Sequence, residues 1–127
     1  MRLLTLPYPP SVNTYWRSLV INGSARVVIS ERGRLYRQAV QRAVMADGAG
    51  EVFTAEKRLS VEVDVYQPNR RSFDLDNLGK SLLDSLTEAG IWSDDSQVDR
   101  LVFTRMKEIG GMVKVRIQER NTKGEQQ

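Results

Sequence analysis

The 127-residue sequence contains neither histidine nor cysteine, and each absence removes a class of chemistry. Without imidazole or thiol there is no Ser-His-Asp or Cys-His nucleophile system, no thiolate or imidazole zinc site and no disulfide. Any reaction has to draw on carboxylates, lysine, hydroxyls or a metal held by oxygen. Long apolar runs are missing too: Leu3-Leu4 and Val27-Val28-Ile29 fall far short of the ~20 residues of a membrane span. The N-terminus has no signal-peptide pattern, so a cytoplasmic protein with no membrane partner is expected. Repeats and low-complexity segments are also absent.

What is present describes a folded protein. Apolar residues make up 40% and charged residues 28%, a globular composition, and a chain of this length buries roughly two-thirds of its unfolded surface as one domain. That domain is expected over 1–120, with a polar tail over 121–127. Nineteen Lys and Arg against 16 Asp and Glu give a net charge of +3, a modest bias toward polyanions that assigns no ligand alone.

Periodicity predicts alternating strands and helices. Arg2 to Leu6 reads as a strand ending at Pro7, and Pro7-Tyr8-Pro9-Pro10-Ser11 as a rigid extended loop, since proline donates no ladder hydrogen bond. Asn22-Gly23 is a turn signal before a strand at Ser24–Ile29, and a hairpin is expected in this region. From Ser30 to Ala46, Leu35, Tyr36, Ala39, Val40, Ala43 and Val44 recur at helical spacing, closed near Gly48, with Arg34, Arg37, Gln38, Gln41 and Arg42 as a basic outer face. Leu59, Val61, Val63 and Val65 alternate with polar residues as a half-buried strand. Leu75, Leu78, Leu82, Leu86 and Ala89 define a second amphipathic helix, stopped by Gly90. Asp99 to Lys107 and Met112 to Glu119 read as two strands joined around Gly110-Gly111. The expected fold is α+β, a mixed sheet with two main helices packed on it.

The chemistry concentrates where the Leu59 strand ends and the second helix begins: R-R-S-F-D-L-D-N-L-G-K, Arg70 to Lys80. Asp74 and Asp76 lie two apart, so in an extended chain both carboxylates face one side. Lys80, four residues after Asp76, is expected over the same helix face. Asp94 and Asp95 follow the helix, and only the tertiary fold can return Asp95 to Asp74 and Asp76. Were these groups to converge, they would suit Mg²⁺, with Mn²⁺ substituting, because hard divalent cations take oxygen ligands. Phosphodiester hydrolysis is the matching reaction, the metal polarising a phosphoryl oxygen and activating water while Lys80 offsets developing charge. Arg17, Arg34, Arg37, Arg70 and Arg71 are the candidate DNA contacts.

The same residues have a plainer reading, in which Asp74 or Asp76 caps the helix, Lys80 is a surface ion-pair partner and Asp94-Asp95 form a turn. Trp92 reads as a loop anchor. Tyr15-Trp16-Arg17 reads equally as packing or as an exposed contact for DNA or a second subunit. Gly79 inside a helix suggests close approach of a neighbour.

Taken together, L-P-Y-P-P-S-V-N-T-Y-W-R (Leu6 to Arg17), S-E-R-G-R-L-Y-R (Ser30 to Arg37), D-L-D-N-L-G-K-S-L-L-D-S-L (Asp74 to Leu86) and G-I-W-S-D-D-S-Q-V (Gly90 to Val98) resemble the RusA family of Holliday-junction resolvases. The resemblance implies a homodimeric, Mg²⁺-dependent endodeoxyribonuclease that cuts four-way DNA junctions by paired nicks. It implies Asp74, Asp76 and Asp95 as catalytic, metal-binding carboxylates, Lys80 as the essential lysine, Asp94 as a support for its neighbour, and a phage or prophage source. Where the family commonly places a basic or acidic residue just before the first aspartate, this chain has Ser72 and Phe73. Twofold symmetry supports a dimer independently, since a junction presents two equivalent strands. Two other readings are a non-catalytic nucleic-acid-binding module and a metal-dependent nuclease without junction specificity.

Overall fold

The computed structural model describes residues 1–48 and 50–120; the tail assigned to 121–127 lies outside the described residues. In chain order the elements are β1 (Arg2–Pro7), α1 (Val12–Tyr15), β2 (Trp16–Ile21), β3 (Ser24–Ile29), α2 (Glu31–Asp47), β4 (Leu59–Tyr66), a 3₁₀ turn (Leu75–Leu78), α3 (Gly79–Glu88), a second 3₁₀ turn (Asp95–Gln97), β5 (Val98–Arg105) and β6 (Met112–Glu119). One mixed sheet runs β1-β6-β4-β5, and β2 and β3 form a separate two-stranded ribbon. The expected α+β architecture is present.

Alternation builds the sheet. Leu59, Val61, Val63 and Val65 of β4, Val113, Val115 and Ile117 of β6, and Leu4 and Leu6 of β1 turn one face into a single core with Tyr36 and Val40 of α2 and Leu82 and Leu86 of α3. The opposite face carries charge that is paired across strands. Arg116 bridges Glu62 at 3.1 Å and Asp64 at 2.8 Å, and Arg100 reaches Glu62 at 3.0 Å. Such cross-strand pairs stabilise a face left open to water.

β5 and β6 differ from their expected relation, because they are not neighbours. β4 lies between them, parallel to β5 and antiparallel to β6. The Gly110-Gly111 segment wraps the end of β4 instead of closing a hairpin: both glycine N–H groups donate to the Gln67 carbonyl, at 2.8 and 3.1 Å. A parallel partner suits β4 because its buried face is almost uniformly β-branched.

The structure also contains a strand, β2, that the expected order lacks. It pairs with β3 around Asn22 and Gly23, both at positive φ (52° and 77°), as a two-residue hairpin turn of the favoured hand requires. The ribbon leaves Val20, Ile21 and Val27 exposed. At its base, the Ser30 hydroxyl accepts from the Gly33 N–H at 3.0 Å and caps α2. A Cβ on Gly33 would meet the Tyr15 carbonyl oxygen at 2.6 Å, so only glycine lets α2 begin this close to α1.

Tyr36 joins α2 to β1. Its hydroxyl donates to the Pro7 carbonyl at 2.8 Å, and burial pushes its phenol above the ordinary value of 10.0. Because the folded-state value is the higher one, the stability Tyr36 contributes is complete below the unfolded value and is lost as pH rises through the folded one. Tyr36→Phe is expected to cost about 1 kcal/mol at neutral pH. The variant's stability should also fall less steeply than wild type in alkali, as read from denaturant midpoints at pH 7 and above pH 10.

Candidate active site

The end of β4 sets the position of the first acidic pair. After Tyr66 the chain turns at Gln67 to Arg71, where the Asn69 side chain accepts from the Arg71 N–H at 2.8 Å. It remains extended at Asp74 (φ −94°, ψ 130°) and enters the 3₁₀ turn at Leu75. Leu78 of that turn is buried in the core, while Asp74 and Asp76 stay exposed. The continuous helix expected from Leu75 is therefore two segments. A 3₁₀ turn carries three residues per turn rather than 3.6, which shifts Asp76 out of helical register with Lys80, and no ion pair joins them. Gly79 opens α3, and a Cβ there would meet the Phe103 ring at 3.6 Å, an ordinary contact, so no close approach requires glycine at this position.

The second acidic pair is held by a different set of bonds. Gly90, at φ 82°, reverses the chain beyond α3. Trp92 is buried, and its indole N–H donates to the Thr87 hydroxyl at 2.6 Å, anchoring the loop. Buried Gln97 accepts from the Ser93 and Asp94 N–H groups at 2.9 and 3.0 Å and donates to the Thr54 and Lys57 carbonyls at 2.8 and 3.1 Å. Asp94 caps this turn by accepting from Ser96, forming a capping box with Gln97. The Ser96 hydrogen bonds, aided by the Lys80 ammonium, hold the Asp94 carboxyl below its ordinary value. Asp94 thus supports the turn that presents half-exposed Asp95. The D-x-x-Q spacing is a capping-box signal visible in the sequence.

Among the described residues, the carboxylates of Asp74, Asp76 and Asp95 make no hydrogen bond or ion pair, a property they share with Glu31 and Glu108. Asp74 does not act as a side-chain cap of its turn. The structure does not, however, gather the three aspartates. Asp74 and Asp76 stand at the start of α3 and Asp95 follows its far end, although the Lys80 ammonium on the first turn of α3 is near enough to act on Asp94. Among the described residues, no three acidic side chains lie close enough to share a metal ion. The exposed, oxygen-only pair of Asp74 and Asp76 nevertheless fits magnesium, which binds through one or two carboxylates and fills its remaining positions with water and substrate phosphate.

The candidate cations divide. Arg17 on β2, Arg34 on α2, and Arg70 and Arg71 beside the first acidic pair are exposed. Arg37 is not on the solvated face expected of it. Its guanidinium donates to Asp84 at 2.6 Å, to the Tyr15 hydroxyl at 2.7 Å and to Glu88 at 2.9 Å. Tyr15 is fully buried and donates its hydroxyl to Asp84, so that aromatic packs. The sequence reading missed Asp84, whose partners come from residues 47 and 69 positions away, and no local signal marks it.

The match to known proteins extends over nearly all of this fold. The family model described as Endodeoxyribonuclease RusA matches residues 7–118. The chain belongs to the RusA family. The RusA match runs past Val98 through β5 and most of β6, beyond the Leu6–Val98 motifs. A crossover junction endodeoxyribonuclease rusA of Enterobacteria phage HK97 is 41% identical over 115 residues, covering 90% of this chain and 91% of the relative. The proteins of that name from Enterobacteria phage 82 and Escherichia coli K12 are 39% and 38% identical over 95 residues, covering 75% of this chain and 74% of each relative. No helix among the described residues is long and apolar enough to cross a membrane.

The Tyr15, Arg37 and Asp84 cluster should behave as a structural unit of this RusA-family domain. Arg37→Gln and Asp84→Asn are each expected to lower stability by about 2 kcal/mol. The double variant should lose less than the sum, because both changes break one network; urea unfolding of the three variants measures this.

Proposed function

We propose that this chain is an Mg²⁺-dependent endodeoxyribonuclease that resolves four-way DNA junctions by paired nicks as a homodimer. The observation that carries the reading is the exposed, unpaired Asp74 and Asp76 within D-L-D-N-L-G-K, in a RusA-family chain with no histidine or cysteine. The relatives named as crossover junction endodeoxyribonucleases support the substrate, and two identical sites related by a twofold axis match two equivalent strands.

In this mechanism Asp74 and Asp76 hold the metal, which when bound supplies Lewis acidity at the phosphoryl oxygen and activates a water. Lys80, on the first turn of α3 and exposed, offsets the negative charge that grows on the phosphate. Arg70 and Arg71, separated from Asp74 by Ser72 and Phe73, carry the strand toward the acidic pair, and Arg17 and Arg34 extend the cationic surface. Asp95 enters as the third carboxylate on the strength of its motif rather than of proximity. The cap at Asp94 and the buried Gln97 keep it oriented.

Cleavage of a labelled four-way junction beside a linear duplex of matching sequence, each with Mg²⁺ and with EDTA, tests the reading. Paired, Mg²⁺-dependent nicks on the junction alone are expected. Equal cutting of both substrates would remove junction specificity, and tight binding without cutting would leave a binding module. Asp74→Asn and Asp76→Asn should abolish cutting and preserve junction binding, whereas an Asp95→Asn variant that cuts at the wild-type rate would remove Asp95 from the site. Arg70→Ala and Arg71→Ala should each weaken binding across all sequences and flatten its dependence on salt by about one counterion.

A further inference from the structure

A cavity of about 430 Å³ opens beside Asp74, and Tyr8, Ser72, Phe73 and Asn77 contribute to its walls. We propose that it seats an unstacked nucleobase next to the phosphate that is cut, with Phe73 as the stacking wall and Arg105 as the residue that holds the wall in place. The inference deepens the proposed function and rests on DNA being the substrate.

Phe73 is half-exposed yet fixed from two directions. The Arg105 guanidinium lies 4.5 Å from its ring centroid, and the same side chain donates to the Phe73 carbonyl at 2.9 Å. Tyr8 meets the Phe73 ring edge-on, with centroids 5.9 Å apart and planes at 81°, making an aromatic corner. The loop carrying Tyr8 is itself tied to α3, where the Ser81 hydroxyl donates to the Pro10 carbonyl at 2.6 Å. A flat surface held this firmly, immediately before a candidate metal ligand, is what base stacking needs.

The lining discriminates between parts of a nucleotide. Asp74 marks the side of the cavity at which the cut phosphate would lie, and the aromatic and neutral polar walls, Tyr8, Phe73, Ser72 and Asn77, suit a neutral base. Among the described residues, the Ser72 hydroxyl and the Asn77 amide have no hydrogen-bond partner, and the amide offers both the donor and the acceptor that a base edge pairs with. Bases at a strand-exchange point cost less to unstack than those in a continuous duplex, which gives the seat a reason to favour a junction.

The test places 2-aminopurine, one position at a time, on either side of the cut phosphate of a four-way junction and titrates the full chain in EDTA. A several-fold rise in fluorescence is expected at one position, and Phe73→Leu should abolish it while Phe73→Tyr retains a bound, unstacked base. Phe73→Leu and Arg105→Ala should weaken binding to the intact junction by about tenfold and leave binding to a junction abasic at that position unchanged. Equal weakening on both junctions, or no fluorescence change at any position at saturation, would overturn the seat. If the chain shows no preference for junction over duplex, the junction reading fails separately. The same titration on a 2-aminopurine single strand then decides: a Phe73-dependent rise keeps the seat and a flat signal overturns it.

Discussion

Burial of one face of β4 is the constraint on which the rest of this structure depends. Leu59, Val61, Val63 and Val65 are all fully removed from solvent against α3 and α2, and β4 is hydrogen-bonded on both sides, by β5 and β6. At roughly 25 cal/mol per Å² of apolar surface, a central strand of this kind contributes more to the core than either edge strand can. Its parallel pairing with β5 then dictates the path of the chain beyond β4, because parallel strands require a crossover that travels back along the sheet. The crossover is the 3₁₀ turn and α3. One acidic pair therefore falls at its beginning and the other beyond its end.

Charge in this protein separates into groups that are satisfied and groups that are not. Glu62, Asp64, Asp84, Glu88 and Asp99 are all engaged by arginines, and each of these pairs ties together residues distant in the chain. Asp74, Asp76 and Asp95 stand outside that network. The stacking of Arg105 on Phe73 fits the same division, since it commits a cation to positioning a half-exposed ring rather than to pairing an acid.

Local patterns announced most of the elements. The alternation at 59–66, the apolar stripe through Leu78, Leu82 and Leu86 and the glycine stops at Gly48 and Gly90 all operate over a few residues, through backbone geometry and period. The motif D-L-D-N-L-G-K and its partner D-D-S-Q were legible for the same reason, and with the ordered segments from Leu6 to Val98 they pointed to the family. The hairpin at Asn22-Gly23 was legible from its turn, but the bounds of its first strand, β2, were not, because Trp16 to Ile21 has no clean alternation.

The sequence by itself determined the element types, the oxygen-only character of any site, and the family. The tertiary structure decided which strands are neighbours, that Arg37 and Tyr15 belong to a part-buried network with Asp84 rather than to a solvated face, that Asp74, Asp76 and Asp95 form no three-carboxylate metal group among the described residues, and that Arg105 lies against Phe73. The physical reason is range. Periodicity and capping act within a turn or two of the backbone, whereas strand order and salt-bridge partnership are settled by competition among residues 30 to 70 positions apart, and no local signal records its outcome.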